Sequence, residues 1–357
     1  MLNDNKNRIY SLDAIKFFCA VFILFHHFHQ NFGQGTAKYC FYGSVIHWGS
    51  MVEFFFLISG LFMGLSMEKN REKPFLTFMK EKLIRLMPMV WISVLSFSAL
   101  ELIYRYFLGT WWGDIAPNPW NIIKTCLLIF AGGAFRGDEV MPNNPTWYLC
   151  VLLICYVWYW LILRVSKRKG FDPVYLFVFM IVLGISVISY NIQLPFLNTG
   201  SGRGYHSFFF GAVLGCLYQK KAIKPNSKPL KWISLTIILL IVLGCCIHPR
   251  FFLTNGQGYL LTYFLYPAII YVFLYVPPIN WVFNRKLFGT LGKVSFEMYL
   301  WHSVFYLMIA LLDGVGLIRF RSTGASMLIT AAVIIIWSFL AYYLLEKPIT
   351  EKLRHRL

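Results

Sequence analysis

From its first residues the chain alternates long apolar stretches with short polar ones. Those stretches recur at roughly 10–29, 46–65, 86–105, 147–163, 172–190, 205–218, 232–248, 259–277, 294–312 and 326–345. A helix needs about 20 mostly apolar residues to cross a bilayer, and it satisfies its own backbone hydrogen bonds there. The pattern predicts an all-α polytopic membrane bundle of about ten spanning helices. The run WNIIKTCLLIFAG, 120–132, is too short to cross. It reads as a re-entrant or interfacial helix within the segment 106–146, where Trp111, Trp112, Asp114 and MPNNPTW could help form an outer mouth. No small-residue cleavage pattern follows the first apolar run, so that run is expected to stay in the mature protein. A single transmembrane domain over 1–357 is expected, with no fused soluble domain.

Composition agrees with this reading. Only 13% of the residues are charged and 58% are hydrophobic, against about 25% charged in soluble domains. The net charge of +18 would suit nucleic acid, but its distribution assigns it elsewhere. With both termini cytoplasmic, 25 of the 33 Lys and Arg fall in inner segments and 8 in outer ones. That is the positive-inside asymmetry, so membrane lipids and not nucleic acid are the expected partners. Most of the eight cysteines lie inside spans without ligand or disulfide spacing and read as small apolar fillers.

Ionisable residues inside a span cost about 2.5–3.5 kcal/mol near its centre on insertion scales, and tend to be functional. The candidates are Lys16, His26, His27, Glu53, Glu101, Glu297 and His302. Lys16 and His27 lie eleven residues apart. On a helix that spacing puts them within about 20° of one face and about 16 Å apart along the axis. Glu53, at similar depth in VEFFFLISG, is a natural partner for His27, and such a pair would fix the imidazole tautomer and raise its basicity. An intramembrane histidine can equally well hydrogen-bond a neighbouring helix. Lys82 and Arg85, three apart in FMKEKLIRLMP, form a pair able to bind phosphate or to anchor the inner membrane face. Ser295, Tyr299 and His302 share a face of a later helix, with His302 a second deep imidazole. The HHFH run offers no wider ligand cluster, and no metal is expected.

These motifs, in this order, resemble the acyltransferase-3 family of bacterial membrane O-acyltransferases. Leu12, Asp13, Lys16 and His27 are similar to its first-helix pattern, and VEFFFLISGLFM to its second. Lys82, Arg85 and Pro88 are similar to its Arg-x-x-Arg with a following proline. TWYLC, FFFGAVLG, LGKVSFEMYLWH and LLEKPI are similar to its later helices. Lysine stands at Lys16 and Lys82 where the family usually has arginine, which keeps the charge and loses the bidentate fork.

The resemblance implies a membrane-embedded enzyme of the bacterial inner membrane, moving an acyl group, acetyl above all, from cytoplasmic acyl-CoA to a hydroxyl of an extracytoplasmic glycan. It places catalysis at His27, Glu53 and His302, donor phosphates at Lys16, Lys82 and Arg85, and substrate contacts at Trp147 and Tyr299. The alternative is a transporter or flippase for a lipid-linked sugar, which also uses deep ionisable groups. The two halves lack the matching interrupted helices that inverted repeats bring.

Overall fold

The computed structural model describes residues 9–33, 41–42, 48–114, 117–130, 141–220, 226–247 and 257–355. Lys6, Arg8, Lys38, Cys40, Arg136, Lys221, Lys224, Arg250, Arg356 and residues 131–132 of the short apolar run lie outside them.

All named elements are helical. In chain order they are α1 Tyr10–Asn31, α2 Met51–Leu65, α3 Met67–Arg71, α4 Phe75–Leu108, α5 Pro119–Cys126, α6 Trp147–Lys169, α7 Val174–Ser189, α8 Thr199–Gln219 and α9 Lys228–Ile247. They continue as α10 Gly258–Tyr275, α11 Pro277–Phe283, α12 Lys286–Gly314, α13 Gly324–Ala341 and α14 Lys347–His355. Among the described residues, eight helical segments are long and apolar enough to cross a membrane, so the chain is an all-helical, multi-pass membrane protein. Two of the ten expected spans fall short of that measure for different reasons. α7 has only 16 residues, and α8, with 21, opens on the polar stretch TGSGRGYHS. α4 exceeds its expected span most, running 34 residues, about 51 Å at ~1.5 Å per residue. The amphipathic stretch that carries Lys82 and Arg85 is therefore continuous with the apolar stretch beyond Pro88.

The chain divides into two compact units. The first comprises Met1–Phe55, Lys221–Tyr299 and Ser322–Phe339. Within it, α1 lies close against the start of α12. A Cβ on Gly292 would collide with the Cα and Cβ of Asp13, and one on Gly289 with the Tyr10 ring. The Phe18 ring packs 5.8 Å from that of Phe283 and 6.1 Å from that of Phe288. Ser50, just ahead of α2, is bonded to Tyr266 of α10: the hydroxyls are 2.9 Å apart, and the Tyr266 hydroxyl lies 2.8 Å from the Ser50 carbonyl.

The second unit comprises Phe56–Lys220, Leu300–Arg321 and Leu340–Leu357. Its tightest joint is the crossing of α2 and α8. A Cβ on Gly60 or Gly64 would strike the α8 backbone at Phe208 and Ala212, and one on Gly211 or Gly215 would strike the α2 backbone at Leu57 and Leu61. Each helix thus presents glycines four residues apart, the spacing that lets membrane helices meet backbone to backbone. α6 is fixed at two levels. The buried Tyr159 hydroxyl donates to the Met63 carbonyl at 2.7 Å, while Trp160 Nε1 and the Arg164 guanidinium both donate to the Lys73 carbonyl.

Candidate functional site

In the first unit, the polar residues of α1 divide into a lower pair and an upper cluster. Lys16 Nζ lies 2.6 Å from the buried Asp13 carboxylate. Asp13 also meets Gly292, so the first-helix motif and the LGKVS motif pack against each other at this ion pair.

Of the three histidines in the cluster, two hold the backbone of one residue. A carbonyl only accepts, so His26 Nδ1 carries a proton and donates to the Phe41 carbonyl at 3.0 Å. The Phe41 N–H donates to His29 Nδ1 at 2.9 Å, so that ring carries its proton on Nε2. These two imidazoles, three residues apart, clasp Phe41 from both sides. His27, half-buried between them, has its ring 5.1 Å from that of His26. Its Nδ1 lies 2.6 Å from Gln30 Oε1, and Asn31 Nδ2 donates to its carbonyl at 2.7 Å. Glu53 and Tyr299 are each 5% exposed, and the Tyr299 ring lies 6.5 Å from that of Phe55.

In the second unit, Lys82 and Arg85 occupy one stretch of α4, as their spacing predicts. Lys82 Nζ sits 5.3 Å from the Phe78 ring centroid and 5.1 Å from that of Tyr156, a cation–π arrangement. Arg85 Nε lies 3.9 Å from Oε1 of Glu346. Glu346 closes a π-helical turn, Tyr342–Glu346, between α13 and α14. Such turns frequently mark functional positions because they re-aim a side chain. His302 is fully buried, its ring 5.6 Å from that of Tyr306. Trp147 opens α6 with the Arg203 guanidinium 4.9 Å from its ring centroid.

Glu101 receives a structural task. Its Oε1 accepts the Trp112 N–H at 2.5 Å, which ties the turn Trp112–Asp114 to the upper part of α4. The segment after that turn runs back alongside the same helix. α5 has eight residues and is capped by the Asn118 side chain. The carbonyl at its end, Cys126, accepts from Trp91 Nε1 at 2.9 Å. Asn143, buried and left-handed at φ 51°, donates from Nδ2 to Ser93 Oγ at 3.0 Å and to the Leu300 carbonyl at 3.1 Å. Trp91 and Ser93 both stand near the middle of α4, so irregular backbone reaches the interior of the unit. Such backbone is tolerated at membrane depth where protein buries it or it lines a cavity.

Beyond the spans, the charged ends carry ordinary ion pairs. The Lys167 ammonium, 2.6 Å from Glu72 and helped by Arg164 and Arg71, holds that carboxyl below the usual carboxylate range. Burial works against ionisation of Asp172, but the Lys220 ammonium and the Val174 N–H outweigh it and keep that carboxyl low.

The sequence pattern does not single out three residues of these clusters: Gln30, Glu346 and Asn143. Gln30 has a local signal, a glutamine three residues after a histidine on one helix. Glu346 lies within the LLEKPI motif, although nothing in the chain links it to Arg85. Asn143 sits in an irregular stretch with no period to read.

A family model described as an acyltransferase domain matches residues 9–345. Among curated proteins, the chain is 22% identical over 290 residues to a Staphylococcus aureus strain COL protein named "Putative O-acetyltransferase". Counterparts in strains MSSA476 and N315 match to the same extent. The alignment covers 70% of this chain and 45% of each relative, so the chain spans just under half the length of the curated relatives it matches. No solved structure matches it.

Proposed function

The chain belongs to the acyltransferase-3 family, and from that premise we propose that it transfers an acyl group, acetyl above all, from acyl-CoA to a hydroxyl of an extracytoplasmic glycan, acting in the bacterial inner membrane. His27 is the general base. As the acceptor oxygen attacks the thioester carbonyl, its proton passes to the His27 imidazole. The C–S bond then breaks, and the leaving thiolate takes up that proton to give CoA and the O-acyl ester. Glu53, buried in the same unit, supplies the negative charge that offsets the transient imidazolium. Arg85 and Lys82 offer cations for the donor's phosphates, Arg85 with a guanidinium suited to bidentate contact. Enclosure within helices limits water, so less thioester is lost to hydrolysis.

The observation that carries this reading is the division of labour in the histidine cluster. His26 and His29 hold the Phe41 backbone, while His27, the histidine of the first-helix motif, meets a side chain, Gln30. The test is purified protein in lipid nanodiscs with radiolabelled acetyl-CoA, following CoA release and ester formation. Turnover by the wild type and its loss in H27A at equal abundance supports the proposal. A protein that binds or moves sugars and never consumes acetyl-CoA overturns it.

A further inference from the structure

We propose that Gln30 is a positioning residue for this reaction: its side-chain oxygen holds the proton of His27 on Nδ1 and so presents Nε2 as the base. The inference rests on the acyl-transfer reading and deepens it.

The argument begins with hydrogen-bond roles. An amide oxygen has lone pairs and no proton, so in a contact with Gln30 Oε1 the imidazole must be the donor. The 2.6 Å separation makes this a short bond for a neutral pair. His27 is therefore the Nδ1–H tautomer, the less populated form of a neutral imidazole in water, and its basic lone pair lies on Nε2. The opposite ring nitrogen would carry the lone pair if this partner were absent or turned its NH2 inward. Helix geometry makes the contact possible, because residues three apart face each other, and Gln30 lies in the last turn of α1.

The neighbouring side chains make the choice of an amide significant. The His26 ring lies 5.1 Å away, and its own Nδ1–H is committed to the Phe41 carbonyl. Protonation of His27 thus places a cation beside a second imidazole. A carboxylate at position 30 would raise the basicity of His27 and hold it protonated, and so unable to accept a proton, at higher pH. A neutral acceptor fixes the tautomer without that effect.

The test uses full-length protein in nanodiscs with radiolabelled acetyl-CoA, scoring CoA release against pH for wild type, Q30A and Q30E, with thermal unfolding measured alongside. Q30A is expected to fall about 10- to 100-fold in turnover, since tautomer errors in catalytic histidines cost this much or more. The acetyl-CoA affinity of Q30A stays within about twofold of wild type. Q30E restores the acceptor, recovers most of the activity above neutral pH and moves the acidic limb of the pH profile, set by protonation of His27, up by about one unit. Wild-type turnover and pH profile in Q30A overturn the inference. So does equal loss in Q30A and Q30E with lowered unfolding temperature and an unmoved limb, the signature of a merely structural residue. A wild type inert toward acetyl-CoA overturns the acyl-transfer reading itself, a result separate from either.

Discussion

Arg85 Nε stands 3.9 Å from Glu346 Oε1, joining two motifs from opposite ends of the chain. The Glu346 side chain is nearly buried at 7% exposure, whereas the Arg85 side chain is 59% exposed. Arg85 is therefore steadied by a buried carboxylate while its side chain stays largely accessible, the arrangement an anion-binding arginine needs.

Replacing that guanidinium separates charge from geometry. R85A should raise the KM for acetyl-CoA about 10- to 100-fold, because a hydrogen bond to a charged group contributes about 1.5–3 kcal/mol. R85K keeps the charge, loses the planar fork and should fall between R85A and wild type. Donor-dependent initial rates in nanodiscs check both.

Asn143 provides a stability prediction with a definite sign. Ser93 gives its own proton to the Val90 carbonyl at 3.0 Å, so its oxygen must accept, as must the Leu300 carbonyl. N143D points a carboxylate oxygen at two acceptors and should lower stability by about 2–4 kcal/mol, beyond the loss of the bonds alone. N143G keeps the left-handed backbone and forfeits only the bonds, so it should unfold at a temperature between N143D and wild type. Thermal unfolding in detergent ranks the three.

The α2–α8 joint has no room for side chains. G60L and G211L should each destabilise by about 3 kcal/mol or more, while the same change at Gly258 of α10, where a Cβ meets nothing within 4 Å, should have little effect. Fluorescence-detected size exclusion after a heating series measures the difference.

The helices were readable from the sequence because lipid imposes one strong constraint, about 20 apolar residues per crossing, and it leaves a period along the chain. The same constraint marks Glu101 as a candidate, since burial of a carboxylate is all that sequence can register. Its partner is the Trp112 N–H, and a backbone donor has no side-chain signature. The HHFH run was similarly ambiguous. Only the placement of Phe41 shows that two of those rings grip backbone while the third meets Gln30. The Arg85–Glu346 pair escaped for a different reason. The chain sets the spacing of neighbours on one helix, but the meeting of α4 with the π-helical turn is a tertiary event.

Acid should affect the protein at Asp172. Lys220 and the Val174 N–H hold its carboxyl below the ordinary value, so the pair stabilises the fold at neutral pH. That contribution fades as pH falls through the lowered value, below the usual carboxylate range. Asp172 is partly exposed, and the whole effect is at most about 1 kcal/mol. D172N should lower the unfolding temperature slightly at neutral pH and flatten its decline in acid, as pH-dependent melting will show.

The most direct measurement is the single-turnover rate of acetyl transfer from radiolabelled acetyl-CoA by wild type, H27A and H27Q, with donor affinity determined in parallel. If the His27 imidazole takes the acceptor's proton, both variants lose about 10²- to 10⁴-fold in rate while binding acetyl-CoA as tightly as wild type. Variants that transfer acetyl at the wild-type rate would contradict the assignment of His27 as the base.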